Sequence, residues 1–185
     1  MGYEAAVSKF AKAIFAITAA AGVLTAGFTA LYCSLGTAWL LSAAITLGTT
    51  FYHFAMRLIV GAAVPKNADP DSWWFRSRPF EPRLYAALKV RRWKRHMPTY
   101  DPSAFSLAHN TPAQLLQNSC QAEIVHEIIM LLCFVPVFTI PRFGAAGVFW
   151  STSILAALFD SCFVVMQRYN RPRLKRILAK EAFHP

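Results

Sequence analysis

The sequence predicts an all-α integral membrane protein, a four-helix bundle with an interfacial amphipathic segment between its second and third helices. The 185 residues are 56% hydrophobic and only 15% charged, and the mean hydropathy is +0.36, which is too apolar for an ordinary soluble domain. Four apolar stretches are long enough to cross a bilayer as helices. The formal net charge of +10 comes mostly from residues outside those stretches.

The first two apolar stretches predict an antiparallel hairpin of transmembrane helices at about residues 10–35 and 38–64. The first stretch is too long for the apolar core of a signal peptide, which spans about 7–15 residues. Gly36 and Thr37 leave room only for a tight connection, and Pro65 ends the second helix.

Residues 65–112 differ sharply in composition and predict a segment that lies at the membrane surface. Seven prolines and nine lysines and arginines are interleaved there with aromatic residues. Because tryptophan and tyrosine favour the headgroup level and cations favour the anionic surface, this segment is expected at the interface. A short amphipathic helix is expected from Pro82 to Arg95.

The third and fourth transmembrane helices are expected at about residues 117–140 and 145–169, with Pro136 as a possible kink. Since a residue before proline is disfavoured in helical geometry, the fourth helix is expected to end or bend at Arg171. A basic tail, residues 171–185, follows it.

The distribution of cations predicts the orientation. Apart from Arg142, the lysines and arginines outside the spans lie in the short polar head at residues 1–9, in the segment 65–112 and in the tail. With four spans these regions share one side, which the positive-inside rule places in the cytoplasm. We therefore expect a single membrane domain, residues 1–185, in the cell (inner) membrane with both termini cytoplasmic. Its partners are expected to be membrane lipids and not nucleic acid.

Glu123, His126 and Glu127 are the main candidate catalytic residues. Their spacing of three and four residues puts them on one face of the third helix. A histidine beside carboxylates suits a general base, because a carboxylate orients the ring and raises its basicity. The Glu-x-x-His spacing also occurs among metal ligands in helical bundles, although we predict no metal site. Structural pairing with an arginine is a third possibility.

The second and fourth helices carry further polar candidates. His53 and Arg57 lie four residues apart and share a face of the second helix. Asp160 lies in an apolar helix, where an acid is by default a functional candidate. We expect Asp160 to take a catalytic role or to be the counter-ion of Arg57 or His53. With Glu123 and His126, the groups of three spans are expected to converge and leave room for a guest molecule.

Three blocks of sequence resemble the glycosyl-4,4'-diaponeurosporenoate acyltransferase family of small bacterial membrane proteins. They are Leu88-Lys-Val-Arg-Arg-Trp-Lys94, Gln121-Ala-Glu-Ile-Val-His126 and Gln167-Arg-Tyr-Asn-Arg-Pro-Arg-Leu174. The resemblance covers roughly residues 70–180 and is most specific in the last block. It implies a transferase of carotenoid biosynthesis that moves a fatty acyl group onto a sugar hydroxyl of a membrane lipid.

The sequence therefore predicts a membrane-embedded acyltransferase that acts on a lipid or glycolipid hydroxyl at the cytoplasmic interface. His126 would be the base, and acyl-CoA is a possible co-substrate whose phosphates would meet the cations. Asn170 and Arg171 would stabilise the oxyanion. The full set of candidate substrate-binding residues is His53, Arg57, Lys89, Arg91, Arg92, Trp93, Lys94, Gln167, Arg168, Tyr169, Asn170 and Arg171.

Two other functions fit the same pattern. One is a different lipid-modifying membrane enzyme, such as a methyltransferase or a reductase. The other is a non-enzymatic lipid-binding membrane subunit whose buried charges neutralise one another. The cofactor, the acceptor lipid and the oligomeric state are left open by the sequence.

Overall fold

The computed structural model describes residues 8–183, and within them the chain is α-helical with no β-strand. The all-α prediction is therefore confirmed. The described α-helices are α1 (Lys9–Leu35), α2 (Ala38–Ala63), α3 (Glu81–Ala87), α4 (Val90–Trp93), α5 (Pro112–Leu132), α6 (Ile140–Phe143) and α7 (Ala146–Phe183). The first seven residues of the polar head predicted at residues 1–9, and the end of the predicted basic tail, lie outside the described residues.

In the described part of the chain, four helical stretches are long and apolar enough to cross a membrane, as the sequence predicted. They are Lys9–Leu35, Ala38–Ala63, Pro112–Phe143 and Ala146–Glu181. By length and composition the chain is a multi-pass membrane protein.

The chain divides into two compact units. The hairpin unit consists of Ala11–Ala63 and Ile128–Asp160, and the loop unit consists of Met1–Phe10, Val64–Glu127 and Ser161–Pro185. Each unit brings together stretches that are far apart in the sequence. Each has its own set of buried polar side chains.

In the hairpin unit, α1 and α2 pack closely after the turn at Gly36, whose φ of +65° favours glycine. A Cβ placed on Gly22 would lie 3.0 Å from the ring of Phe51, so the helices approach where a side chain is missing. Hydroxyl groups on this hairpin donate to the carbonyl one turn earlier in their own helix, as Thr25 does at 2.6 Å. This satisfies the hydroxyls inside an apolar span.

The end of α5 is determined by Pro136. Because proline has no N–H, the carbonyl of Leu132 lacks its usual helical donor. The hydroxyl of Tyr52 donates to that carbonyl instead, at 2.8 Å. The chain continues as a 3-10 helix over Val135–Thr139, so the irregularity expected near Pro136 is present.

In the loop unit, the prediction of a single helix from Pro82 to Arg95 is wrong. The chain forms α3 and α4 with Lys89 between them in a left-handed conformation, φ 51°. The break accompanies complete burial of Val90, although Leu88 just before it stays exposed.

The start of α5 at Pro112 is defined by a cap. The hydroxyl of Thr111 accepts a hydrogen bond from the Gln114 amide at 3.2 Å, and the Gln114 side chain accepts one from the Thr111 amide at 2.8 Å. This is a capping box with Pro112 at the first helical position.

Helix α7 continues through Pro172 to Phe183, so of the two outcomes expected at Arg171, an end or a bend, the end is wrong. Leu174 and Leu178, beyond the proline, pack against the buried cluster of the loop unit. That cluster consists of Ala68, Phe75, Leu116 and Cys120. Lys175 also donates to the Pro70 carbonyl at 3.1 Å. These contacts hold the helix on both sides of the proline.

Candidate functional site

Glu123 is a fully buried carboxylate in the middle of the loop unit. Arg168 donates from Nη1 to Glu123 Oε1 at 2.8 Å, and Arg171 donates from Nη2 to Oε2. Both carboxylate oxygens are therefore occupied by guanidinium groups of α7. Arg171 is itself only 3% exposed, and its Nη1 donates to the Phe75 carbonyl at 3.1 Å.

Glu81 is a second buried carboxylate in the same cluster. Arg168 donates to its Oε1 from Nε at 2.9 Å and from Nη2 at 2.7 Å. The hydroxyl of Tyr85 donates to Oε2 at 3.0 Å. Burial raises the pKa of Tyr85, and this hydrogen bond to a carboxylate raises it further. We call Glu81, Tyr85, Glu123, Arg168 and Arg171 the Glu123 network.

The Glu123 network is electrically balanced, with two carboxylates and two guanidinium groups. Charges buried in this way are stable only while each retains its partner. The arrangement matches the structural pairing of Glu123 with an arginine that the sequence left open. Sequence reasoning missed Glu81, although it is the only acidic residue between Asp71 and Asp101, within a strongly cationic stretch.

His126 lies one turn after Glu123 on α5 and is half-buried. Its imidazole stacks on the ring of Phe163, with centroids 4.4 Å apart and planes 6° from parallel. The next residue, Glu127, accepts a hydrogen bond on Oε2 from the Trp74 indole at 2.9 Å. The segment 65–112 thus contributes Trp74 as a hydrogen-bond donor to Glu127 on α5. The sequence reasoning did not select Trp74.

The C-terminal candidate residues make specific polar contacts in the loop unit. Gln167 accepts a hydrogen bond from the buried hydroxyl of Ser119 at 3.0 Å. Lys94 donates to Asn170 Oδ1 at 2.7 Å, and its ammonium lies 4.8 Å from the centre of the Tyr169 ring. The last block of the sequence pattern is therefore tied to the first by Lys94.

Lys89, Arg91 and Arg92 are exposed, and Trp93 is half-buried with its indole donating to the Leu88 carbonyl at 3.0 Å. Within residues 65–112, no lysine or arginine forms an ion pair with a carboxylate of the described chain. Burial lowers the pKa of Lys94, and the neighbouring charges of Arg173 and Arg91 lower it further. We call Lys89, Arg91, Arg92 and Lys94 the cationic patch. No carboxylate among the described residues neutralises its charge.

The hairpin unit contains a separate polar cluster. Arg57 pairs with Asp160, so one of the two counter-ions expected for this acid is confirmed. The Arg57 guanidinium also donates to the His53 carbonyl at 2.5 Å and to the Ala156 carbonyl at 3.5 Å. The side chain of Asp160 is only 1% exposed. This pair carries no net charge.

Two more polar side chains are buried in the hairpin unit. His53 is 6% exposed and Ser153 is fully buried. Neither ring nitrogen of His53 nor the hydroxyl of Ser153 has a hydrogen-bond partner among residues 8–183. Sequence reasoning missed Ser153, whose only signal is its position two helical turns before Asp160 on α7.

The candidate residues thus form two groups. His126, Glu127, the Glu123 network, the cationic patch and the last block belong to the loop unit, whereas His53, Arg57 and Asp160 belong to the hairpin unit. No group of three or more His, Cys, Asp or Glu side chains in the described part of the chain is placed to hold a metal ion.

Residues 71–180, more than half of the chain, match a family model described as glycosyl-4,4'-diaponeurosporenoate acyltransferase. This confirms the resemblance found in the three sequence blocks. The matched residues include the cationic patch, the Glu123 network and His126. No curated protein and no solved structure matches the chain.

Proposed function

The chain belongs to the glycosyl-4,4'-diaponeurosporenoate acyltransferase family, and from this premise we propose that it transfers a fatty acyl group to a hydroxyl of a membrane lipid or glycolipid at the cytoplasmic interface. The observation that carries the proposal is that one compact unit holds both the half-buried His126 and the cationic patch. No carboxylate among the described residues forms an ion pair with the patch. The histidine would handle the proton of the acceptor, and the patch would bind an anionic donor.

The donor is proposed to be an acyl thioester that carries phosphate groups, such as acyl-CoA. Arginine binds phosphate through two parallel hydrogen bonds, and lysine binds it as a point charge. Arg91 and Arg92 are exposed and adjacent, with Lys89 just before them. A bound phosphate would also offset the mutual repulsion of the charges around Lys94.

The reaction needs one proton transfer and one acyl transfer. Neutral His126 would take the proton of the acceptor hydroxyl while the oxygen attacks the thioester carbonyl carbon. Breaking the carbon–sulfur bond would then release a thiolate, which recovers the proton from the imidazolium. The products are an ester and a free thiol. No covalent intermediate on the protein is required.

Among the two carboxylates near His126 on α5, Glu127 is the better supported as its partner in catalysis. Both oxygens of Glu123 are bound by arginines, whereas Glu127 has one oxygen held by Trp74. For the oxyanion, the Asn170 side chain is the stronger candidate because its amide nitrogen remains when Lys94 binds its oxygen. Arg171 is already committed to Glu123 and Phe75.

The test is His126→Ala in the full chain, purified in detergent and supplied with radiolabelled palmitoyl-CoA and a total membrane lipid extract. Loss of a general base should slow the formation of labelled lipid about 100- to 10,000-fold. The melting temperature should stay close to that of the parent, because His126 is only half-buried. The matched control is His109→Ala, an exposed histidine of the same unit, which should keep full activity.

Full transfer by His126→Ala would remove the base assignment. No transfer by the parent from palmitoyl-CoA, together with thermal stabilisation by S-adenosylmethionine or NADPH instead, would favour the methyltransferase or the reductase. A ligand at a hundred times its dissociation constant should stabilise its protein by about 2.7 kcal/mol.

A second candidate function is a non-enzymatic lipid-binding subunit. The observation that favours it is the balanced Glu123 network, in which the buried charges are satisfied by one another. A subunit of this kind should bind lipid but should not transfer an acyl group from any donor. The same assay separates the two candidates.

A further inference from the structure

The hairpin unit contains two buried polar side chains that lack a hydrogen-bond partner among the described residues, and each can both donate and accept. A neutral histidine offers one donor and one acceptor, and a serine hydroxyl offers both. Buried groups of this kind are nearly always hydrogen-bonded, so we expect each of the two to have a partner from outside the described residues. Neither His53 nor Ser153 has one among the described residues.

The two side chains lie on the same side of the Arg57–Asp160 pair. His53 is one helical turn before Arg57 on α2, and Ser153 is two turns before Asp160 on α7. As the second and fourth of four spans, α2 and α7 cross the membrane in the same direction. The guanidinium bridges the two helices at this level, because it bonds to the His53 carbonyl, the Ala156 carbonyl and Asp160.

An apolar groove of about 350 Å³ lies in the same unit. Its lining includes Leu41, Ala44, Val135 and Pro136, together with Thr49 and Phe149. Thr49 is one turn before His53 on α2, and Phe149 is one turn before Ser153 on α7. The lining of the groove therefore comes within one helical turn of His53 on α2 and within one helical turn of Ser153 on α7.

The charge of the cluster restricts the occupant. Arg57 and Asp160 neutralise each other, so no charge remains to offset that of an ionised ligand. The apolar walls suit a hydrocarbon chain. His53 and Ser153 suit an oxygen that both donates and accepts hydrogen bonds. A long-chain alcohol has these properties, whereas an alkane or a carboxylate lacks one of them.

We propose that the groove binds a lipid chain that ends in an uncharged hydroxyl group, with the chain in the groove and the hydroxyl between His53 and Ser153. This site is in the hairpin unit, and it goes beyond the acyl transfer proposed for the loop unit. Binding there does not require a donor. It can therefore be measured independently of transfer.

The test compares three probes on the full chain in detergent: 1-tetradecanol, tetradecane and tetradecanoate. The parent should bind the alcohol at least 10-fold more tightly than either of the other probes, measured by retention of radiolabelled probe and by the shift in melting temperature. Ser153→Ala and His53→Phe should weaken alcohol binding at least 10-fold and leave alkane binding unchanged. Ser151→Ala, an exposed serine on the same helix, should bind as the parent does.

Two further measurements keep the proposal testable if His53→Phe does not fold. Leu41→Trp, which fills the groove, should weaken both the alcohol and the alkane. Ser153→Ala without ligand should melt no lower than the parent, because it removes a polar group that lacks a partner.

The proposal is overturned if the parent does not prefer the alcohol, or if Ser153→Ala binds it unchanged. A lower melting temperature of ligand-free Ser153→Ala, without alcohol preference in the parent, would mean that only a structural water occupies the site. His126→Ala should bind the alcohol normally, so failure of the transfer proposal leaves this result intact.

Discussion

Arg168 and Arg171 lie three residues apart on α7 and share the carboxylate of Glu123. Arg168 is also the ion-pair partner of Glu81. A single arginine therefore joins α3 to α5 through α7, and a change at Glu123 should be felt across the loop unit. We therefore expect a substitution of Glu123 to lower the stability of the loop unit first, and to lower catalytic activity only as a result.

Glu123→Gln should lower the free energy of unfolding by about 3–5 kcal/mol, because it leaves the buried Arg171 without its charge partner. Thermal or SDS-induced unfolding of the purified chain measures it. The matched control is Asp71→Asn, which breaks the exposed pair with Lys175 and should change stability by less than about 1 kcal/mol. Equal effects of the two substitutions would contradict the structural role of Glu123.

At the scale of elements, α7 shows how tertiary contacts override a local signal. A proline in a helix interior removes one hydrogen bond and crowds the preceding turn. The helix nevertheless continues, because Arg168 and Arg171 are anchored before Pro172 and Leu174 and Lys175 after it. The break between α3 and α4 is the opposite case. The helix is interrupted at Lys89 although no proline is present there.

Pro172→Ala should stabilise the protein by up to about 3 kcal/mol, because alanine restores a donor for the Arg168 carbonyl and removes the ring. Unfolding of the purified variant measures it. Pro136→Ala is the control, since the Leu132 carbonyl near that proline already receives the Tyr52 hydroxyl. We expect a smaller gain there. A destabilised Pro172→Ala would show that the loop unit needs the local geometry of the proline.

At the scale of the whole molecule, the cations predict a topology. A tight turn joins the first apolar stretch to the second, and another joins the third to the fourth. The cationic segment 65–112 separates the second stretch from the third. Because positive loops are retained in the cytoplasm, the turn at Gly36 and Thr37 should face the other side of the membrane.

Single cysteines in a chain whose native cysteines are replaced by serine can test this orientation. Thr37→Cys, in the first turn, should react with a membrane-impermeant maleimide in intact cells. Ser77→Cys, in the cationic segment, should react only after the membrane is permeabilised; both positions are exposed. The reverse pattern of labelling would refute the predicted orientation and move the proposed transfer to the other side.

The candidate site was only partly predictable. The sequence selected Glu123, His126 and Glu127 by helical spacing, and the family match covers all three. Helical spacing did not show that Glu123 is bound by two arginines. Glu81 and Trp74 were missed, because they come from a stretch that meets Arg168 and Glu127 only after folding.

The sequence by itself determined the all-α membrane class, the four spans and the family. These depend on the length of apolar runs and on short contiguous blocks, which are local properties of the chain. Only the tertiary structure decided which buried acid pairs with which arginine, that α7 passes Pro172, and that His53 and Ser153 are buried without a hydrogen-bond partner among the described residues. Such pairings join residues tens of positions apart, and no periodicity along the chain encodes them.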